Sequence, residues 1–590
     1  MDLSTKFMNE NERKILDQIL EFLYSADQAR EIADRILVKL QDYRAKNGSS
    51  PSATSDQKFS AEDVILIAYG DIIQDPEKPD LQALGDFLNL RLDQEINTLH
   101  LLPFFPYSSD DGFSIIDYRS IDPMLGNWID FRALAGDRKM MVDAVINHVS
   151  RESAWFQKFL EGDPKYQDYF IQVDGDWDLS QVARPRTSPL LTEVETAGGP
   201  KKVWTTFSAD QIDLNYANPD VLLEILDVLL FYLQQGATII RLDAIAYLWK
   251  ESGTTCIHLP QTHQVVKLLR LVLEAANPEL VLITETNVPH QENISYFGEL
   301  DPETGETDEA HMVYQFPLAP LVLHTLMSGN AKRLSDWAAG LEPTGIFFNF
   351  IASHDGIGVL PAKGILTDGE LQRVIDQVHR HGGLLSHRSN PDGSKTVYEL
   401  NTTLYDALND PKAPDADDIQ RYLASQVILL SLAGVPGIYY HSLFGSRNAL
   451  DKVSETGRAR SINRKKFTPA ELEVLLDDAE NIHGQIFHEM QHLLAVRSHE
   501  LTFNPDAGQE VLQLDERLFG LKRTASDGEP TLVALVNVSA ETFELDLDAA
   551  LFGDLNSKSL QDVISGEAFE VSEAKIRVHF TPYRSLWLRA

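Results

Sequence analysis

The sequence predicts an α/β protein: a (β/α)8 TIM barrel with lid insertions, an N-terminal helical arm and a C-terminal all-β domain. Three observations predict it. Short apolar runs alternate with helical patterns eight times between residues 59 and 500. Three of those runs end in acids: Ile239-Ile240-Arg241-Leu242-Asp243, Leu280-Val281-Leu282-Ile283-Thr284-Glu285, and Phe348-Asn349-Phe350-Ile351-Ala352-Ser353-His354-Asp355. Acids gathered at strand ends mark the top of a parallel barrel, where active sites sit. After residue 505 the helical periodicity gives way to short alternating runs.

Taken in order, residues 10–44 carry Ile15, Ile19, Leu23, Ile32, Ile36 and Leu40 at helical spacing, with Ser25 or Asp27 as a cap. They read as a helical hairpin packed on the main body, or alternatively as a dimerisation element. A Ser-rich linker covers 45–58, so the extension spans 1–58. Strands are expected at Val64–Tyr69, Asn97–Leu102 and Met140–Ile146, the third leading to Asn147-His148. Residues 150–205 break the rhythm with aromatic and turn residues, including Arg184-Pro185-Arg186, and read as a small lid. Asn218-Pro219 opens a helix that Gly236 closes, and the central strand to Asp243 follows. The fifth strand ends at Glu285, the sixth is His311–Phe316, and the seventh ends at Asp355. Residues 360–415 read as an irregular insertion with a turn at Asn390-Pro391-Asp392-Gly393. A helix over about 418–433 leads to the eighth strand at Gly437–Tyr440. The barrel is thus assigned to 59–149 and 206–500, and the β domain to 501–590, with strands at Phe519–Arg523, Leu532–Val538, Phe543–Leu547 and Ile576–Phe580.

The chain has 590 residues, 51 basic and 89 acidic, for a formal charge of −38. That balance disfavours nucleic acid and anionic membranes as partners. The single cysteine, Cys256, excludes an internal disulfide framework and a thiolate metal site. No apolar run approaches the ~20 residues needed to span a bilayer, and the N-terminus lacks a signal-peptide core, so a cytoplasmic location is expected.

Two or three carboxylates at a barrel top, with no Cys or His-x-x-His pattern, suit acid–base work on a polar organic substrate without metal or cofactor. Glycosyl transfer fits best. Retaining enzymes hold nucleophile and acid ~5–5.5 Å apart, and neighbouring strands lie ~4.8 Å apart, so Asp243 and Glu285 on consecutive strands fall into range. Arg241 shares a strand face with Asp243 and is expected to keep it ionised. Glu285, in an apolar strand, is expected to hold a proton as the acid.

Asp143-Ala144-Val145-Ile146-Asn147-His148, Arg241-Leu242-Asp243-Ala244, Thr284-Glu285-Thr286 and Ser353-His354-Asp355 resemble the four strand-end motifs of the α-amylase clan, glycoside hydrolase family thirteen. Gln211-Ile212-Asp213-Leu214-Asn215 resembles its lid motif, and the resemblance runs over about 62–590. Within the clan, Leu101–Phe105, Asp110–Asp117, Val142–Ser150, Arg184–Arg186, His354–Gly358 and Ser461–Arg464 are similar to the sucrose phosphorylase subgroup. The N-terminal arm and Thr284–His290 resemble the branch holding glucosylglycerol and glucosylglycerate phosphorylases. The resemblance implies a nucleophile at Asp243, an acid/base at Glu285 and a sugar-gripping, transition-state-stabilising Asp355. It implies that His148, His354 and Arg241 hydrogen-bond the glucosyl unit or the nucleophile, and that Asp110 and Arg464 close the far side of the pocket. Phosphate then takes the place of water, and Arg186 and Tyr398 are the candidates to bind it; Arg186 as a lid anchor is the alternative. Asn147 is a calcium-site residue in many amylases, but this subgroup lacks that ion, and no metal is expected here.

Two departures from sucrose phosphorylase bear on the substrate. Glu399 stands where that enzyme has a glutamine touching fructose, and Asn287 replaces a histidine beside the acid/base. A carboxylate at 399 accepts hydrogen bonds from a small polyol and repels glycerate, unless Arg388 or Lys395 offsets it. The expectation is a retaining phosphorylase acting on a small α-glucoside, 2-O-α-glucosylglycerol first. Glucosylglycerate, sucrose, or hydrolysis or transglucosylation on the same residues are the alternatives. The partners are then the glucoside, inorganic phosphate and a polyol or hydroxy-acid acceptor.

Overall fold

In a computed structural model the eight apolar runs form eight parallel strands closed into a barrel. They are β1 (Ile65–Ala68), β2 (Thr98–Leu101), β3 (Lys139–Ala144), β4 (Ala237–Leu242), β5 (Val281–Thr284), β6 (Met312–Tyr314), β7 (Ile346–Phe350) and β8 (Val435–Tyr439). Each pairs with its neighbours in sequence, and β8 returns to β1. The structure describes residues 8–48, 58–302, 305–341, 345–389, 394–526, 528, 530–552 and 559–590. β1 and β5 are buried on both faces, which is why their residues are nearly all apolar.

The helices that cover the barrel follow from local signals. In the N-terminal arm, α1 (Glu10–Leu23) and α2 (Ala26–Asn47) start from reciprocal capping boxes, Asn9 with Glu12 and Ser25 with Gln28. Their buried faces, with Leu16, Leu20, Ile32, Ile36 and Leu40, pack on α3 (Pro219–Gln235) and α4 (Pro260–Ala276). Each such aliphatic stabilises the arm by roughly 1.5–3 kcal/mol when fully buried. The accompanying surface pair Arg35–Asp220, at 2.7 Å, contributes ~1 kcal/mol or less. Asn218 caps α3 by accepting from the Asp220 amide, and Gly236 ends it at φ 108°. That left-handed residue turns the chain directly into β4.

Two expectations are corrected. The seventh strand stops at Phe350, not at Asp355. Beyond it the chain leaves the barrel ladder, and its carbonyls at Ser353 and Asp355 accept instead from the Asn463 side chain, both at 3.1 Å. The 360–415 insertion is not irregular. It contains α5 (Asp368–Arg380), capped by a Thr367–Glu370 box, and a hairpin of Leu384–Ser389 with Lys395–Asn401. Its turn at 390–393 lies outside the described residues. α6 (Asp418–Ser431) then leads to β8.

The lid carries a helix, Ala154–Glu161, and a hairpin, Leu191–Thr196 with Gly199–Trp204. Its two ends are tied by a short ladder in which His148 faces Asp213. The C-terminal residues form one eight-stranded sheet, twice the strands read from sequence. Ala568–Ser572 escaped notice because only Phe569 of its five side chains is fully buried, so its apolar signal is weak. The sheet is fixed to the barrel by Trp587, whose indole donates to Ser431 Oγ at 2.8 Å.

Candidate active site

The site is built up from Arg241, which lies in the barrel floor and is 2% exposed. Its guanidinium contacts Asp143, lies 2.8 Å from Asp243 Oδ1 and 3.8 Å from Glu285 Oε2, and donates to Tyr314 Oη at 2.8 Å. One cation thus serves three carboxylates, and the hydrogen bonds around it compensate its burial. Asp143 is also bonded to His100 at 2.8 Å. Burial works against it, but Arg241 and His100 hold it down to about 2.

Asp243 and Glu285 stand at the ends of β4 and β5, which run in register with Leu242 beside Thr284. Their side chains are 13% and 14% exposed, opening into one pocket of about 410 Å³. The amide of Ala244 donates to Glu285 Oε2 at 3.1 Å. Burial raises Asp243 above the ordinary carboxylate range, against the pull of Arg241, so the arginine does not win the balance expected from sequence. Burial pushes Glu285 up to about 7, with Arg241 opposing and the charges of Asp243 and Asp355 adding to it. A carboxyl near 7 can give and take a proton at neutral pH.

Asp355 completes the acidic cluster. Arg460 lies 2.5 Å from its Oδ1, His354 3.6 Å from its Oδ2, and Arg464 3.8 Å away. Despite burial, these hold Asp355 well below the usual carboxylate range. Arg460 also reaches Glu399 Oε1 at 2.9 Å, and the Gly356 amide donates to the same oxygen at 2.7 Å. Glu399 is buried, and its Oε2 has no partner. It lines a cavity of about 40 Å³ behind the main pocket, with Asn287, Arg241 and Glu285.

Asp110, His148, Arg186, Asn287, His354 and Tyr398 all line the main pocket. His148 Nε2 sits 2.9 Å from the Phe113 carbonyl, and the Gln211 side chain donates to Asp110 Oδ2 at 3.2 Å. His354 stacks on Phe113 with rings 5.2 Å apart and 5° from parallel. Burial pushes it down to about 3, so it is neutral. Arg186 donates to the Tyr398 hydroxyl, which brings the two phosphate candidates together. Arg464 is not in the wall: it stands behind it, contacting Asp111 and donating from Nε to the His354 carbonyl at 2.9 Å. Arg388 lines the pocket, whereas Lys395 is exposed at the far end of its hairpin.

Sequence reasoning missed Arg460. Its signal was its place four residues before Arg464, on the same turn of chain. It also missed Lys250, whose ammonium lies 2.6 Å from Asp213 and 2.9 Å from Asn147 Oδ1. A side-chain cation therefore sits against Asn147, the residue that the amylase resemblance associates with calcium. Among the described residues no group of three or more His, Cys, Asp and Glu is arranged to hold a metal ion. No described helix is long and apolar enough to cross a membrane.

Residues 74–345 match the family described as alpha amylase, catalytic domain. The chain is 48% identical to a glucosylglycerate phosphorylase of Allomeiothermus silvanus, over 89% of this chain and 93% of that one. It is 43% identical to a glucosylglycerate phosphorylase of Spirochaeta thermophila, over 97% of each. Among solved structures, the sucrose 6F-phosphate phosphorylase from Thermoanaerobacter thermosaccharolyticum superposes with a TM-score of 0.70 at 24% identity, over 88% of this chain and 98% of that one, a likeness of fold. With its closed barrel, its strand-end carboxylates and these relatives, the chain belongs to the α-amylase family, in the branch of configuration-retaining glycoside phosphorylases.

Proposed function

We propose that the chain catalyses the reversible phosphorolysis of 2-O-α-glucosylglycerate, giving α-glucose 1-phosphate and glycerate. Asp243 attacks the anomeric carbon while Glu285 protonates the departing glycerate oxygen, leaving a β-glucosyl ester on Asp243. Phosphate then attacks the same carbon, Asp243 leaves, and a proton returns to Glu285. Asp355, held ionised by its arginines, faces the positive charge that develops on the sugar.

The observation that carries the choice of acceptor is the Arg460–Glu399 pair. The sequence-based preference for glycerol rested on an uncompensated charge at Glu399. With Arg460 at 2.9 Å that charge is compensated in part, by a cation that Glu399 shares with Asp355 and that is neither Arg388 nor Lys395. The pocket wall also carries Arg184, Arg186 and Arg388. Phosphate and glycerate attack the same glucosyl ester in opposite directions, so arginines that admit one anion past the carboxylates of the pocket suit the other. The names of the two relatives point to the same acceptor.

The test is to incubate the protein with glucose 1-phosphate and glycerate, glycerol or fructose in turn and to measure phosphate release. Glycerate is expected to give a kcat/KM at least about tenfold above the others, the worth of one charge-assisted contact. Faster release with glycerol or fructose would reassign the acceptor. No release with any of them would remove the phosphorylase reading.

A further inference from the structure

Part of the pocket wall is made by a loop with unusual backbone. Asp110, Asp111 and Gly112 follow one another at φ 55°, 50° and 107°. Asp visits this region more readily than most non-glycine residues, but two in succession before a glycine make a turn that its surroundings must hold. Gly112 is required, because a Cβ there would lie 2.7 Å from the Pro103 carbonyl oxygen. Asp110 faces the pocket from this loop, while Asp111 is held outside it by Arg464 and by Arg458 at 2.8 Å.

Arginines alone do not fix the loop. The carboxylate of Asp210 accepts from Ser108 Oγ at 2.6 Å, from Ser114 Oγ at 2.7 Å and from Ser109 Oγ. Ser108 and Ser114 also close the loop through their backbones at 3.1 Å. Asp210 itself is anchored by the Arg151 amide, which donates to its carbonyl at 2.8 Å. The next residue, Gln211, turns inward to Asp110 and His148. Asp210 grips the outside of the loop and Gln211 the inside.

We propose that Asp210 is a positioning residue of the glucosyl pocket: its carboxylate, gathering three serine hydroxyls, holds the left-handed loop that presents Asp110 to the sugar. This rests on the glucosyl-pocket reading above. All three hydroxyls converge on Oδ2 alone, so Asn at 210 keeps an acceptor oxygen but removes the negative charge that makes those three bonds charge-assisted.

The experiment measures KM and kcat for glucose 1-phosphate, together with the melting temperature, in Asp110→Asn, Asp210→Asn and the double variant. Asp210→Asn is expected to raise KM about 10–100-fold, the loss of charge-assisted hydrogen bonds, with a smaller change in kcat. In the double variant Asp110→Asn should add little, since the loop no longer presents residue 110. Additive effects, or a lowered melting temperature with unchanged KM, would overturn the proposal. If Asp210→Asn does not fold, Ser108→Ala/Ser109→Ala takes its place: KM should rise while the melting temperature holds, and an unchanged KM overturns the proposal. A wild-type protein inert to glucose 1-phosphate would instead sink the glucosyl-pocket reading itself.

Discussion

The guanidinium of Arg460 lies 2.9 Å from Glu399, which is buried, and spends its other nitrogen on Asp355 at 2.5 Å. One arginine therefore ties together two carboxylates from different segments, Glu399 on the hairpin and Asp355 beyond β7. Replacing it with Met leaves Glu399 as an uncompensated buried charge, which costs roughly 3–5 kcal/mol of stability. Arg460→Met/Glu399→Gln should recover part of that loss, because Glu399 is then uncharged and only Asp355, which Arg464 still approaches at 3.8 Å, has lost a cation. Urea denaturation of the two variants checks the first part. A double variant no more stable than Arg460→Met would remove the ion-pair argument.

Glu285 is pushed up to about 7, so it is protonated below that pH and ionised above it. Breaking the glucosidic bond needs the acid form. The kcat/KM for the glucoside is accordingly expected to fall as pH rises through about 7, and Glu285→Gln should lose this limb while lowering turnover ~10²–10⁴-fold. Stability carries the same sign. A folded-state pKa above the ordinary 4.5 means that the native protein binds a proton the unfolded chain releases. Stability should therefore fall as pH rises from 4.5 to about 7, and Glu285→Gln should flatten that slope. Denaturation curves across this window provide the comparison.

How much of this was legible in the chain follows from distance along it. The Ile239–Leu242 run, with Arg241 and Asp243 two residues apart, states its strand, its face and its charge pair within six residues, and the structure has all three. Asn218-Pro219 and Gly236 likewise mark both ends of α3. Arg460 meets Glu399 only because the chain after β8 folds back across the hairpin, and no local period announces that. The left-handed pair Asp110-Asp111 was equally hidden, since neither residue type demands positive φ. The apolar spacing of Leu371, Val374, Ile375 and Val378 behind the Thr367–Glu370 box was present in sequence, but the polar segments around it masked α5. Asp243 shows a different limit: the sequence names its arginine partner, but not the burial that outweighs it.

Asp243→Asn is expected to abolish turnover, because an amide neither attacks the anomeric carbon nor leaves from it. In the wild type, a slow-reacting glucosyl fluoride should leave one glucosyl unit on the peptide that carries Asp243, seen by mass spectrometry after acid quench. Near-native activity in Asp243→Asn, or a label on another residue, would reassign the nucleophile.

Lys250 and Asp213 form a buried pair at 2.6 Å, with side chains 1% and 0% exposed. Asp213 also accepts from the Thr206 amide at 2.9 Å and from its hydroxyl at 2.6 Å, so this carboxylate joins the returning end of the lid to the short turn after β4. Lys250→Met keeps the length of the side chain and removes its charge. Asp213 is then left buried without a cation, and a loss of roughly 3–5 kcal/mol is expected. Because the strain falls at the base of the lid, limited proteolysis should cut between residues 150 and 205 first. Asp213→Asn in the Lys250→Met background should restore much of the stability, since an amide needs no counter-charge there. If Lys250→Met melts with the wild type and resists protease equally, the ammonium does not hold the lid.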